Sequence, residues 1–151
     1  MASPRTHLLG HPAHLEDLEM NLLSKANIKR MEKYLNYVRQ LPCVVCKNTS
    51  RSQAAHVRYL GICGIGLKPD DTKFTVPLCD KCHKEQHAYN DGEKTEQSAE
   101  EKWWRTKDIN PEKITTMLYE VFFKFGMPGA LYVASDYIKV AGKVGVGTWK
   151  S

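Results

Sequence analysis

No run of apolar residues in this 151-residue chain approaches the roughly 18–20 needed to span a bilayer. Residues 1–14 hold a single arginine and no continuous apolar stretch, so a secretory leader is not expected and the cytoplasm is the expected compartment. The chain also lacks a strong excess of charge of one sign: 22 Lys and Arg stand against 17 Asp and Glu, a net charge of +5. All of that excess lies in the first ninety residues, because residues 91–151 carry nine of each sign. A basic excess suits a polyanionic partner, since each neutralised phosphate releases counterions, but many unrelated proteins reach the same value. Hydrophobic content of 42% and charged content of 26% exclude a disordered composition, and the length suits one domain of ordinary size. There is no internal repeat beyond a doubled cysteine motif.

That motif is the most informative feature present. Four of the five cysteines form two CxxC pairs, Cys43–Cys46 and Cys79–Cys82, separated by 32 residues. In a chain with no export signal this spacing favours a metal over disulfides. Two thiolates two residues apart can bite one Zn²⁺, and two such pairs complete a closed tetrahedral site with no position left for water. The expected zinc is therefore structural. Cys63 has no such partner and reads as a free thiol.

Around the cysteines, the periodicity predicts mostly helix. Residues 1–12, with Pro4, Gly10 and Pro12, read as a loose leader. From Leu15 to Gln40, apolar residues at Leu15, Leu18, Leu22, Leu23, Ile28, Met31, Leu35 and Val38 follow steps of three and four, with a break expected near Ser24–Asn27. Pro42 ends that helix. Gln53–Leu60 and Phe74–Leu78 read as strands, joined through the glycines at 61, 64 and 66, and Asp80–Tyr89 reads as a helix. Asp91–Glu101 reads as a polar linker turning into helix. Asn110–Pro111 gives a capped helix start, with the helix running to about Phe125 before Gly126 and Pro128. A last helix is expected over Ala130–Val140. Trp103, Trp104, Phe122, Phe123 and Phe125 are expected in the core rather than as base-stacking surfaces. The glycine loop is no phosphate-binding loop, because Lys68 neither follows Gly66 directly nor precedes a Ser or Thr.

Three histidines lie within this frame. His83 and His87 are four residues apart on the expected helix, so both imidazoles share a face and can approach one ion. His56 lies in the first expected strand. Closure of the two CxxC pairs on one zinc would draw the 56 region towards the 83–87 helix, giving a second, open metal site of nitrogen ligands.

The runs AAHVRYLG, GIGLKPDD and FTVPLCDKCHKEQH, in the order CxxC, strand with His, loop, strand, CxxCHxxxH, resemble the HNH (ββα-metal) endonuclease superfamily. They are similar to its phage and prophage members associated with recombination. The resemblance covers about residues 41–90 and implies an α+β fold, a zinc-bound ββα finger between helical flanks. The segments expected are a leader at 1–14, a helical segment at 15–41, the finger at 42–90 and a helical extension at 91–151.

The resemblance also implies roles. His56 matches the general base, suited to the task because imidazole titrates near neutral pH. His83 matches the histidine that holds a catalytic divalent cation, Mg²⁺ or another, against the scissile phosphate. Many members place an Asp ligand directly before the general base. Here that position is Ala55, and His87 is the expected substitute, as in the branch resembling the colicin DNases. The middle Asn of the motif is also missing, with Asp71 or Asp70 as the nearest polar candidate. Arg58 and Lys68 are candidates for gripping phosphates. The implied activity is hydrolysis of DNA phosphodiester bonds, with a recombinase or another DNA-processing protein as a possible partner and the host cytoplasm as the site if the protein is phage-encoded. A non-catalytic zinc module that binds nucleic acid or a recombination partner is the alternative.

Overall fold

The computed structural model describes the backbone of residues 10–60, 71–143 and 145–149, and side chains from Lys25 onward within those spans except Asp71 and Thr72. Cys63, Lys68, Asp70 and the three glycines of the 61–66 loop lie outside the described residues. The chain divides into two compact units, one through Lys33 and one from Tyr34. Among the described residues no helix is long and apolar enough to cross a membrane.

The first helix, α1 (Gly10–Arg39), starts ahead of Leu15 and runs without a break through Ser24–Asn27. In the first unit, Lys25 to Arg30 are exposed, and Ile28 is 53% exposed, so it is not the core residue expected from its spacing. In the second unit the buried face of α1 is Tyr34, Tyr37 and Val38, continuing to Leu41. Tyrosines thus take the positions that the spacing gave to Leu35, which is only half-buried. The reason is partner shape: Tyr34 meets Tyr119 and Phe122 edge-on, and the Tyr37 hydroxyl donates to the Leu118 carbonyl at 3.0 Å.

The two strands, β1 (Gln53–His56) and β2 (Thr75–Leu78), form one antiparallel ladder in which Ala55 faces Val76 and His56 faces Thr75. β1 ends at His56, four residues before the expected strand end, and the chain turns through a hydrogen bond from the Leu60 N–H to the Val57 carbonyl. A short 3₁₀ turn, Asp71–Phe74, enters β2, whose four residues are all buried. Pro77 has no N–H for a ladder, yet its carbonyl accepts from Val44 at 2.9 Å, which docks the first CxxC turn on this strand. Lys47 closes that turn in the left-handed region (φ 65°). Its Nζ donates to the carbonyls of Val44 and Ala141, each at 2.6 Å, and burial pulls its pKa down to about 8.

Four helices complete the second unit, and their starts follow capping chemistry. Cys79 caps α2 (Asp80–Ala88), Thr95 caps α3 (Glu96–Thr106), and Asn110 followed by Pro111 opens α4 (Pro111–Phe125). Gly126 at φ 65° ends α4, and α5 (Gly129–Val140) packs back against it. Trp103, Trp104, Ile114, Leu118 and Ile138 fill the core. Phe123 and Phe125 are about half exposed, which corrects their placement in the core. Phe123 falls on the side of α4 opposite Ile114, a consequence of 100° per residue, whereas Phe125 is the last residue of the helix. Helices and a small sheet together make an α+β protein.

Candidate functional site

The four paired cysteines converge. Cys43 and Cys46 sit on a tight turn, closed by the Lys47 N–H to the Cys43 carbonyl at 2.9 Å, while Cys79 caps α2 and Cys82 lies in its first turn. Their Sγ atoms all lie within 4.8 Å of one another, and Cys46 and Cys79 are 3.6 Å apart. Four sulfurs at 2.3 Å from one zinc would be about 3.8 Å apart, so the cradle has the size of a tetrahedral thiolate site. Cys43, Cys79 and Cys82 are buried, and none of the four is in a disulfide. Burial raises the thiol pKa of Cys82 and of Cys46. For Cys79 burial also opposes ionisation, but the Cys82 N–H and the neighbouring thiols outweigh it and lower the pKa. The cluster can hold a metal ion such as zinc, and with all four positions filled by sulfur it leaves none for substrate.

Beside it, the i, i+4 pair on α2 is drawn together as expected. The Nε2 atoms of His83 and His87 are 3.1 Å apart. Two nitrogens at about 2.1 Å from one cation subtend about 3.0 Å at a right angle and about 3.4 Å at the tetrahedral angle, so this separation suits a shared ion. Each ring is oriented by a second residue. The Nδ1 of His83 is hydrogen-bonded to the side-chain oxygen of Gln53 on β1. The Nδ1 of His87 accepts from the Arg58 guanidinium at 3.0 Å. Because a guanidinium only donates, neutral His87 carries its proton on Nε2 and gives it to His83 Nε2. Ligation by His87 Nε2 therefore requires that proton to move to Nδ1 and Arg58 to turn away. Burial is the main cause holding both imidazoles below the ordinary histidine range, with His87 next for His83 and Arg58 next for His87.

His56 is the last residue of β1 and is exposed; its charge lowers the pKa of His83, which places it in the same electrostatic neighbourhood. Among the described residues, however, the four cysteines are the group of three or more His, Cys, Asp or Glu ligand atoms brought together. His56, His83 and His87 do not close into a second one. Ala55 is fully buried in the core, so the position preceding His56 offers no ligand. The side chains of Asp71 and Lys68 lie outside the described residues.

Arg58 is placed at the site, but its charge is already shared. Its Nη1 meets Glu96 at 3.0 Å, its Nε lies 3.6 Å from Glu100, and its backbone N–H donates to Glu100 at 3.2 Å. Glu100 is buried and also accepts from Gln86 at 3.0 Å and Trp104 at 3.3 Å. Burial raises its pKa, against the pull of those donors. Gln53, Glu96 and Glu100 were not legible as site residues, since α3 reads as a polar linker turning helical. Only the four-residue spacing of Glu96 and Glu100 on one helix face hinted at a shared target.

An α+β protein with a four-cysteine cradle beside a histidine pair is the class this geometry defines. Residues 20–114 match a family described as "Protein of unknown function (DUF968)", and the chain belongs to that family. Over 46 residues it is 41% identical to "Putative nuclease YbcO" of Escherichia coli (strain K12) and to the protein of the same description from Enterobacteria phage 82. Each match takes in 30% of this chain and 47% of the relative, so the chain spans about half the length of the curated relatives it matches. No solved structure matches it.

Proposed function

We propose that this protein is a metal-dependent endonuclease of the HNH type that hydrolyses phosphodiester bonds of DNA. The observation that carries the reading is the pair of facing Nε2 atoms on α2, 3.1 Å apart, with His56 ending the adjacent strand and the cysteine cradle pinning the base of α2. The description of the two curated relatives as nucleases, one of them from a phage, supports it.

In this reading His83 and His87 hold the catalytic cation, and Gln53 fixes the tautomer of His83. A divalent cation bound there would supply positive charge to the scissile phosphate and its leaving oxygen. His56, as neutral imidazole, takes a proton from a water whose oxygen attacks phosphorus. The bond from phosphorus to the 3′ oxygen breaks, that oxygen takes a proton from solvent, and the products are a 5′ phosphate and a 3′ hydroxyl. Asp71 orients His56 or the loop before β2. Lys68, and Arg58 once released from His87, contact phosphate, which positions DNA without reading its bases. A role in phage recombination, a recombinase partner and action in the host cytoplasm complete the proposal.

Purified protein incubated with supercoiled plasmid and Mg²⁺ or Mn²⁺ is expected to nick it, and His56→Ala to lower the rate by about 10²–10⁴-fold. Identical plasmid patterns from the two proteins would remove the enzymatic reading. A second reading, a non-catalytic zinc module, is favoured by one observation: buried Ala55 leaves the histidine pair without a third ligand among the described residues. It predicts one tight zinc per chain and no effect of a second divalent ion.

A further inference from the structure

Between Lys25 and Lys33, α1 carries four basic residues, Lys25, Lys29, Arg30 and Lys33, against one acid, Glu32. Residues 1–50 hold seven Lys and Arg and four Asp and Glu, an excess of three, and this stretch supplies all of it. Lys25, Lys29 and Lys33 stand four apart. Each step of four residues turns a helix by about 40° and advances it by about 6 Å, so the three form one ridge about 12 Å long. All three are exposed.

Such a ridge is unfavourable to the helix by itself, because like charges four residues apart repel. On α2 and α3 the same spacing joins opposite charges instead, Lys84 with Asp80 at 2.9 Å and Arg105 with Glu101 at 3.1 Å. Among the described residues the ion pairs engage Arg58, Lys84, Lys102, Arg105 and Lys107, and no lysine of the ridge. A row of cations that the protein leaves unneutralised suits a polyanion of regular spacing. Phosphates of one strand of duplex DNA recur about every 3.4 Å along the axis, so a ridge of about 12 Å laid along it faces about three or four of them. An anionic membrane surface would call for an apolar face opposite the cations. The positions opposite Lys29 are Asn27 and Met31, too little apolar surface to anchor in a bilayer.

We propose that the ridge of Lys25, Lys29 and Lys33 on α1 binds the phosphate backbone of DNA and holds it irrespective of base sequence. The choice of DNA rests on the nuclease reading, to which the ridge adds a contact surface on the first unit of the chain. Glu16, Asp17 and Glu19, nearer the start of α1, are repelled by the same strand, which confines the contact to the basic stretch.

Binding of the full zinc-loaded chain to a labelled duplex of arbitrary sequence, with no other divalent ion added, is measured over a series of NaCl concentrations. Each phosphate neutralised contributes about 0.9 to the slope of log affinity against log salt. The variant Lys25→Gln/Lys29→Gln/Lys33→Gln is therefore expected to have a slope shallower by about 2.7 and an affinity at least about tenfold lower at about 0.1 M salt. Lys→Arg at the same three positions should keep the parent slope. Lys124→Gln/Lys139→Gln/Lys143→Gln, which removes equal charge elsewhere, should keep it too. Equal slopes for the parent and the ridge variant overturn the proposal, as does an equal loss in both glutamine triples, which would reduce the effect to net charge. No binding of the parent at low salt, or capture by phosphatidylserine vesicles in place of DNA, overturns it as well. Folding is checked by melting temperature; should the triple variant unfold, the single substitutions carry the test, each expected to lower the slope by about 0.9. A slope that depends on the ridge, with no nicking of plasmid, would support this proposal while removing the nuclease reading; nicking with an unchanged slope would do the reverse.

Discussion

His87 is held from both sides by partners that want opposite things of it. Arg58 donates to its Nδ1, and its Nε2–H donates to His83 Nε2, an arrangement that suits the neutral form of both rings. Burial pushes the pKa of both imidazoles down, with the neighbouring positive groups adding to the effect. The sign of the consequence follows from proton counting. In the unfolded chain these histidines protonate near about 6.5, and in the folded chain only at lower pH. Between those values the unfolded state binds more protons, so stability falls as pH drops below about 6.5 and the loss ends once the folded imidazoles also titrate. Thermal melts without added divalent ions from pH 7.5 down to 5.0 are expected to show this slope. His87→Gln, which keeps an acceptor for Arg58, should flatten part of it relative to the parent protein. A variant slope equal to the parent's would show that His87 is not one of the groups responsible.

At the scale of elements, the site is a matter of how α2 begins. Cys79 caps the helix, Cys82 completes its first turn, and the ladder of β1 with β2 brings the Cys43–Cys46 turn over them. The histidine pair follows on the next turn of the same helix, so its position depends on the cysteine cradle. Metal binding by such a cradle contributes directly to folding. Zinc removal by a chelator, or Cys82→Ser, is therefore expected to lower the melting temperature by on the order of 10 °C or more. Loss of one zinc per chain by elemental analysis should accompany it. A cradle that holds no metal would give neither change. On the far side of α2, Glu100 of α3 ties Arg58 and Gln86 into one hydrogen-bonded set. The polar character of α3, which reads from sequence as linker, is thus the back wall of the site.

For the whole molecule, the second unit is joined by one core that runs from the end of α1 through α4 to α5. Leu118 lies at its middle, fully buried, with its carbonyl accepting from Tyr37. Leu118→Ala is expected to cost about 2–5 kcal/mol, read as a shift of the denaturant midpoint at constant slope. A cost under about 1 kcal/mol would mean that the helices are not packed as one body. The chain's own order settled much of this. Two CxxC pairs and two histidines four apart were legible in the sequence, because each is fixed by the spacing of a single turn or helix. The helix starts at Thr95, Asn110 and Cys79 also follow from local capping, although only Asn110 was read that way. Tertiary structure alone decided that Gln53 meets His83, that Arg58 meets His87 and two carboxylates of α3, and that Tyr34 and Tyr37 rather than Leu35 face the core. Those contacts join residues far apart in sequence, and strand register and helix docking, which no local spacing encodes, bring them together. The four cysteines were the safest inference from sequence for the same reason that the histidine site was not: the cradle closes on its own spacing, whereas the histidines acquire their geometry from neighbours on β1 and α3.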